Sequence, residues 1–152
     1  MKPSRLIAAG FGAGMLPRAP GTAGSVLGVA FGTLCLHAAG RPGLAAAMVL
    51  TTALGLVVVG RSGAAASDAG WIVIDEIAGQ MVAMLGLPRL TLHGLALAFL
   101  LFRLFDIRKP WPIDLIDRRH DALGVMGDDL LAGAFAAIAI VVIGRIFPGL
   151  GL

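Results

Sequence analysis

Two pairs of adjacent acids are the residues of this sequence best suited to chemistry: Asp75 with Glu76, and Asp128 with Asp129. Each pair adjoins a strongly apolar stretch, where a charge is costly and is usually kept for a metal, a base or an ion path. Gly79 lies one helical turn after Asp75, so a second helix could approach closely beside the carboxylates. The pattern favours a hard cation held by carboxylate oxygens. A structural ion pair for the first pair and a helix cap for the second are the alternatives.

A second group of charged residues occupies the segment 102–121. Arg103 and Lys109 offer positive charge for a phosphate, and the guanidinium group suits bidentate contacts. Asp106 could be a metal ligand, or it could simply pair with Arg103 at i, i+3. Pro110 should force Lys109 out of helical geometry and end the helix there. The alternative is a basic loop beside the membrane that binds anionic lipid.

The stretch from Gly10 to Ser25 is rich in glycine and contains one cation, Arg18. Backbone N–H groups that no side chain shields can approach an oxyanion, and the start of a helix favours negative charge. Thr22 and Ser25 could therefore cap a helix or contact phosphate. The alternative is an ordinary connection after which a new helix begins at Ser25. The spacing matches neither a Walker A loop nor a dinucleotide fingerprint.

An unusually apolar chain must position these residues. Of its 152 residues, 58% are hydrophobic and 14% are charged, and the mean hydropathy is +0.92. A soluble domain of this size has too little interior to bury so much apolar surface. Residues 19–40 and 42–60 contain no Asp, Glu, Lys or Arg, and each run approaches the roughly 20 residues that cross a membrane as a helix. Weaker apolar stretches follow at 77–88, 90–102 and 130–144.

The sequence therefore predicts an all-α, multi-helix integral membrane bundle, a single domain over 1–152 with about 4–5 transmembrane or membrane-embedded helices. Five crossings would separate nine basic residues on one side from three on the other, and the positive-inside rule places the larger group in the cytoplasm. The nine acids all lie between Asp68 and Asp129 and fall at or near that same face. The predicted crossings are residues 22–40, 43–60, 72–88, 90–105 and 130–147.

Composition argues against several other classes of protein. The single cysteine, Cys35, cannot form an internal disulfide or supply a zinc-finger or CxxC site. The isoelectric point is near 10, but no basic run with interleaved aromatic residues indicates nucleic-acid binding. For a membrane protein the basic excess is better interpreted as orientation and attraction to anionic lipid. The sequence leaves the oligomeric state open.

Four blocks of sequence then match, in order, one family pattern. They are Gly10-Phe-Gly-x-Gly with Ala19-Pro-Gly-Thr-x-Gly-Ser25, Ile72-Val-Ile-Asp-Glu-Ile-x-Gly79, Phe102-Arg-x-Phe-Asp-Ile-x-Lys-Pro-Trp-Pro-Ile113, and Gly124-Val-Met-x-Asp-Asp-x-x-Ala-Gly133. On these residues the chain resembles the phosphatidylglycerophosphatase A family of bacterial membrane phosphatases. One departure is Ala69, since family members often carry Pro or His between the positions of Asp68 and Gly70.

The resemblance implies a Mg²⁺-dependent hydrolase of the cell (inner) membrane that acts on a phospholipid substrate. Such an enzyme converts phosphatidylglycerophosphate to phosphatidylglycerol and inorganic phosphate, here with an active site that faces the cytoplasm. By position, the resemblance gives metal or catalytic roles to Asp75, Glu76, Asp106, Asp128 and Asp129.

The resulting hypothesis combines a metal with a cationic phosphate site. We expect Mg²⁺ to be held mainly by Asp75, Glu76, Asp128 and Asp129, with Asp106 in or beside that set. A water activated by the metal would attack phosphorus, and attack by a carboxylate, that of Asp75, is the competing version. The residues expected to bind the substrate phosphate are Arg103 and Lys109, joined by Arg18, Thr22 and Ser25.

Two functions from other classes remain open at this stage. The chain could be a non-enzymatic membrane subunit that binds anionic lipid through its basic face. It could also be a small cation transporter subunit whose intramembrane acids form an ion path.

Overall fold

The computed structural model describes residues 2–65 and 69–151, and within them the chain is helical with no β-strand. The predicted all-α class is therefore confirmed for the described residues. A 3₁₀ helix, Gly10–Met15, follows α1, and a short 3₁₀ turn, Pro148–Leu150, follows α6. The six α-helices are α1 Pro3–Ala8, α2 Pro20–Ser62, α3 Ile74–Leu85, α4 Leu92–Arg108, α5 Ile113–Asp117 and α6 Ala122–Ile146.

Helix α2 consists of two arms joined by a sharp reversal. The backbone leaves helical geometry at Ala39 and at Gly40, whose φ of 63° favours glycine. The arms, residues 20–38 and 41–62, correspond to the first two predicted crossings. They face each other, since a Cβ added at Gly32 would lie 3.3 Å from the side chain of Leu44.

The start of α2 differs from the alternative in which a new helix begins at Ser25. The helix begins at Pro20, behind Ala19, and not at Ser25. Proline suits the first position of a helix because its fixed φ is already helical and its missing N–H would have no partner there. Ser25 lies inside the helix, and its hydroxyl donates a hydrogen bond to the carbonyl oxygen of Gly21 at 2.9 Å.

Glycines let the helices approach one another closely. Along the first arm of α2, Gly24, Gly28 and Gly32 face α3, and a Cβ on any of them would lie 2.7–2.8 Å from an α3 side chain or from Val73, just before α3. Helices α3 and α6 meet in the same way at Gly79 and Gly133, where an added Cβ would meet the opposite backbone at 2.5 and 2.2 Å. Such small-residue contacts are the usual basis of helix packing in membranes.

Large apolar side chains cover the outside of this bundle. Leu50, Leu34 and Leu100 are 70%, 63% and 63% exposed, as expected where lipid is the surrounding solvent. Within the described residues, α2 and α6 are the two helices long and apolar enough to cross a membrane. Helices α3 and α4 have only 12 and 17 residues, short of the roughly 20 that a full crossing takes. Membrane-spanning capacity is thus present, and the count of 4–5 embedded helices stays a prediction.

The two ends of the bundle carry different charges. Helices α3 and α6 begin and α4 finishes at one end, here called the acidic end, where all the acidic residues that the structure describes are found. The opposite end, here called the far end, holds the reversal of α2 and the last turns of α3 and α6. There Arg41 donates to the carbonyl oxygens of Leu85 and Leu87, the latter at 2.7 Å. Asp68, the remaining acid, lies outside the described residues.

The beginning of α6 corrects a second prediction. The helix does not open with Asp128 and Asp129 but at Ala122, six residues earlier. Asp121 is its cap, because the Gly124 N–H donates to the Asp121 carboxylate at 2.8 Å. The Asp128–Asp129 pair therefore lies in the second turn, where capping cannot explain it.

Candidate active site

Three carboxylates from two helices form the centre of the site. Asp75 and Glu76 lie in the first turn of α3, and Asp129 lies in the second turn of α6. Each of the three offers a carboxylate oxygen, and these oxygens lie within 4.8 Å of one another. Gly79 makes this possible, because a Cβ there would lie 2.5 Å from the carbonyl oxygen of Asp129. The predicted close approach beside the carboxylates is confirmed.

These three residues are here called the carboxylate trio. Few hydrogen bonds or opposite charges in the described part of the protein balance their negative charge. Asp75 and Asp129 are only 9% and 4% exposed, and among the described residues no lysine or arginine pairs with any of the trio. The backbone N–H of Glu76 donates to Asp75 at 3.1 Å, while the Glu76 Oε2 atom is buried without a hydrogen-bond partner. Buried like charges are strongly unfavourable. The trio is therefore suited to hold a metal cation.

Lys109 balances a second group of carboxylates in the same region. Its ammonium donates to Asp128 at 2.8 Å and also to Asp117. Lys109 has a φ of 42° and follows the last residue of α4, which confirms that Pro110 ends this helix. Burial alone would lower the pKa of Lys109, but the ion pairs with Asp117 and Asp128 outweigh it and raise that pKa above its usual value. Lys109 is thus paired with two protein carboxylates, and its expected contact with the substrate phosphate stays a prediction.

Arg103 is likewise paired, and it lies against the start of α2. Its guanidinium donates to Asp106 at 2.5 Å, the i, i+3 pair considered from the sequence. A Cβ added at Gly21 would lie 2.4 Å from Glu76 Oε1 and 3.1 Å from Arg103 Nη1. The first turn of α2 therefore packs directly on the site, and a side chain at Gly21 would displace the ends of Glu76 and Arg103.

A cavity of about 440 Å³ opens beside these groups, a size suited to a small ligand or a head group. Among the predicted site residues, those that line it are Asp75, Glu76, Asp106, Lys109, Asp128 and Asp129. Arg103 is not part of the lining, although it holds Asp106. Further lining residues are Asp117, Arg118, Arg119, His120, Gly124 and Val125, together with Ala69, Gly70 and Ile72.

The residues of the glycine-rich stretch that were predicted to bind phosphate do not line this cavity. They are Arg18, Thr22 and Ser25. Arg18 is exposed, Thr22 is half-buried, and neither lines the cavity. The hydroxyl of Ser25 is already used within its own helix. Their assignment to phosphate binding stays a prediction, and within this stretch Gly21 and Gly24 lie against Glu76.

Further charged residues line the cavity. Of these, the sequence groups Asp117 with Asp106 and the two acidic pairs as a possible hard-cation site. Asp117 pairs with Lys109 across the α5 turn, eight residues away, a spacing that no single-helix rule detects. Arg118 and Arg119 were expected at a solvated surface, and they pair with Asp114 and Asp121 at 3.1 and 2.7 Å. The hydrogen bond from Arg119 lowers the pKa of Asp121.

Fold and site together define a class of protein: a helical bundle of membrane type with a buried carboxylate cluster and an adjoining polar cavity at one end. The particular family follows from comparison with known proteins. The model of the phosphatidylglycerophosphatase A family matches residues 6–144, and the chain belongs to that family.

Individual relatives agree with this assignment. Phosphatidylglycerophosphatase A of Haemophilus influenzae is 36% identical over 143 residues, which cover 92% of this chain and 88% of the relative. Phosphatidylglycerophosphatase A of Escherichia coli is 33% identical over 149 residues, with 96% and 86% covered. A protein of Bacteroides thetaiotaomicron, provisionally described as a phosphatidylinositol-3-phosphatase, is 37% identical over 145 residues, with 90% and 91% covered. No solved structure matches the chain significantly.

Proposed function

We propose that this protein is a lipid phosphatase that hydrolyses phosphatidylglycerophosphate to phosphatidylglycerol and inorganic phosphate. The observation that carries the proposal is the carboxylate trio at the wall of a polar cavity. Membership of the phosphatidylglycerophosphatase A family supports the choice of substrate. The exposed apolar exterior supports a substrate that resides in a membrane.

Mg²⁺ is the cofactor that this donor set fits best. The trio supplies oxygen ligands only, which suits a hard cation, and the unpartnered Glu76 Oε2 leaves a ligand position open. Asp75, Glu76 and Asp129 would hold the ion. Asp128, also predicted as a ligand, is bound to Lys109 and would orient its neighbour Asp129. When bound, Mg²⁺ would neutralise phosphate charge and make water a better nucleophile.

The remaining residues then act on the substrate and on protons. Asp106 lines the cavity while Arg103 fixes its carboxylate, so Asp106 is placed to exchange a proton with water or with the leaving alkoxide. Lys109 would hold the carboxylates of Asp117 and Asp128 in place. Arg118 and Arg119, at the rim, would attract the phosphate. In the competing version the carboxylate of Asp75 attacks phosphorus directly, and trapping a phosphoenzyme by rapid quench would establish it.

The protein would be a multi-pass protein of the inner membrane with the acidic end in the cytoplasm. In this topology α3 and α4 cross or enter the membrane together with α6 and the two arms of α2. Nine basic residues belong to the acidic end and three to the far end, which supports this orientation. The nine are Lys2, Arg5, Arg18, Arg61, Arg103, Arg108, Lys109, Arg118 and Arg119, and the three are Arg41, Arg89 and Arg145. Reporter fusions after residue 90 and after residue 152 would test the topology.

The deciding experiment measures phosphate release from phosphatidylglycerophosphate by detergent-purified protein, with Mg²⁺ and with EDTA. Release that depends on Mg²⁺ and is lost in Asp129→Asn is expected. Phosphatidylinositol 3-phosphate is the competing substrate to test in parallel, because one relative is provisionally described as acting on it. Folded protein that releases phosphate from neither lipid would contradict the proposal. Ion flux in proteoliposomes, or lipid binding that tolerates loss of Asp75 and Glu76, would then favour transport or a binding subunit.

A further inference from the structure

A second polar cavity, of about 510 Å³, has the opposite charge to the active-site cavity. Its lining includes Lys2 and Arg5 from the N-terminus and Arg61 from the end of α2. No acidic residue among the described part of the chain lines it, and none pairs with these three cations. Ser4 adds a hydroxyl group, whereas the hydroxyl of Ser62 already donates to the carbonyl oxygen of Val59 at 2.7 Å. We call this cavity the cationic pocket.

An aromatic side chain gives the cationic pocket a fixed wall. Trp71 lines it, and the guanidinium carbon of Arg5 lies 4.8 Å from the centre of the indole ring. This cation–π contact holds the arginine in place. Tryptophan is also enriched in membrane proteins at the level of the lipid head groups. Positive charge, the hydroxyl of Ser4 and an interfacial ring together suit the phosphate of an anionic phospholipid.

The linings of the cationic pocket and of the active-site cavity are connected at two places by neighbouring residues. Trp71 lies between Gly70 and Ile72, which both line the active-site cavity. At the second place, a Cβ at Gly60, next to Arg61, would lie 3.8 Å from Ala122, at the start of the helix that carries Asp129. A single extended head group could therefore reach both cavities.

We propose that the cationic pocket binds the phosphodiester of the lipid substrate while the terminal phosphomonoester occupies the active-site cavity. This inference rests on the proposed function. Phosphatidylglycerophosphate carries two phosphate groups joined through one glycerol, and they have different requirements. The phosphomonoester would be hydrolysed in the cavity lined by the carboxylates that hold the metal ion. The diester survives in the product and needs only cations to hold its charge. The cationic pocket would thereby distinguish this lipid from phosphomonoesters that lack a second phosphate.

The first test measures binding without catalysis. Short-chain phosphatidylglycerol retains the phosphodiester and has no monoester, so its affinity in nonionic detergent reports on the cationic pocket alone. The double variant Arg5→Gln/Arg61→Gln should bind it at least about tenfold more weakly, the loss of two charge-assisted contacts. Arg89→Gln removes an exposed arginine at the far end and should bind it like the wild type. Melting curves of both variants report whether they are folded.

The second test measures turnover on two substrates. In the double variant the KM for phosphatidylglycerophosphate should rise at least about tenfold with kcat nearly unchanged, since binding and not chemistry is affected. An aryl phosphate, which lacks the phosphodiester, should be hydrolysed with unchanged kcat/KM. Arg89→Gln should leave all these constants unchanged.

Several outcomes would overturn the inference. Equal losses on the lipid and on the aryl phosphate would mean that the arginines support the active site itself. Unchanged phosphatidylglycerol binding would remove the cationic pocket as a phosphate site. Weaker phosphatidylglycerol binding with an unchanged KM would make it a site for bulk anionic lipid and not for substrate. If the wild type does not hydrolyse the lipid at all, the proposed function fails, and the binding test still decides whether the cationic pocket holds a phosphodiester.

Discussion

Two groups of carboxylates face the same cavity but differ in what balances their charge. In the trio of Asp75, Glu76 and Asp129, no described cation forms an ion pair with any member. In the other group, Asp117 and Asp128 share the ammonium of Lys109. The adjacent residues Asp128 and Asp129 thus belong to different groups, because successive residues of a helix point in directions about 100° apart.

This difference indicates which acidic residues need a cation from outside the protein. The group around Lys109 has a cation within the protein, although one ammonium serves two carboxylates and Asp128 Oδ1 is buried without a hydrogen-bond partner. We infer that this group holds the geometry of the cavity. The trio is buried and has no such cation among the described residues, which is unfavourable unless a metal ion binds or the carboxylates take up protons. Variants that remove members of each group should therefore fail in different ways.

The largest effect is expected within the trio. Asp129→Asn or Asp75→Asn should lower kcat/KM at least about 100-fold, because each removes a charged ligand or proton-transfer group. The same variants should lose any stabilisation by Mg²⁺ in thermal melts. The control is Arg89→Gln, an exposed residue at the far end of the bundle, which should stay within about twofold of wild type. Near-normal activity in Asp129→Asn would remove Asp129 from the site.

A smaller but still large effect should follow from separating the helices that carry the trio. Gly79→Ala places a Cβ 2.5 Å from the carbonyl oxygen of Asp129, so α3 and α6 must move apart. Overpacking of this kind costs roughly 1–3 kcal/mol of stability, and activity should fall about tenfold or more because the geometry of a metal site tolerates little displacement. Gly149→Ala, where an added Cβ meets nothing within 4 Å, is the control. Wild-type stability and rate in Gly79→Ala would disprove the close approach.

An intermediate effect should distinguish the group around Lys109. Lys109→Met leaves Asp117 and Asp128 unpaired, and the free energy of unfolding should drop by roughly 1–3 kcal/mol, the cost of losing hydrogen bonds to charged groups. Adding Asp128→Asn should restore part of that stability in a double-mutant cycle, since it removes the uncompensated charge. If Lys109 instead served mainly to bind substrate, Lys109→Met would raise KM and leave stability unchanged.

The smallest effect concerns an acid outside both groups. Asp121 caps α6 and is exposed. Asp121→Ala should lower the melting temperature slightly, because it removes the acceptor for the Gly124 N–H. Asp121→Asn preserves a capping oxygen and should melt like the wild type. Phosphatase activity should be unchanged in both, and a marked loss in either would extend the functional site to this residue.

Local rules explain what could be predicted from the sequence. The apolar runs at 19–40 and 42–60 predict helices whatever surrounds them, because helix length and hydropathy are properties of the segment. Pro110 ends α4 because its ring prevents the preceding residue from staying helical. The Arg103–Asp106 pair follows from a spacing of three on one helix. Gly79 has no side chain, so it leaves room for whichever helix packs against it.

Where local rules compete, the sequence was misleading. Ser25 and the Asp128–Asp129 pair both resemble helix starts, yet α2 begins at Pro20 and α6 at Ala122. In each case an earlier residue already starts the helix: the proline itself in α2, and the Asp121 cap in α6.

The amino-acid sequence by itself determined that this chain is helical, suited to a membrane, and rich in acids at one end. Only the tertiary structure decided which acids meet, because that depends on how α3 and α6 are rotated and how deeply they cross at Gly79 and Gly133. The same packing placed Asp129 beside Asp75 and Glu76, and Asp128 beside Lys109. It also brought Gly21, a residue without a functional group, against the side chains of Glu76 and Arg103, because the missing side chain leaves room for them.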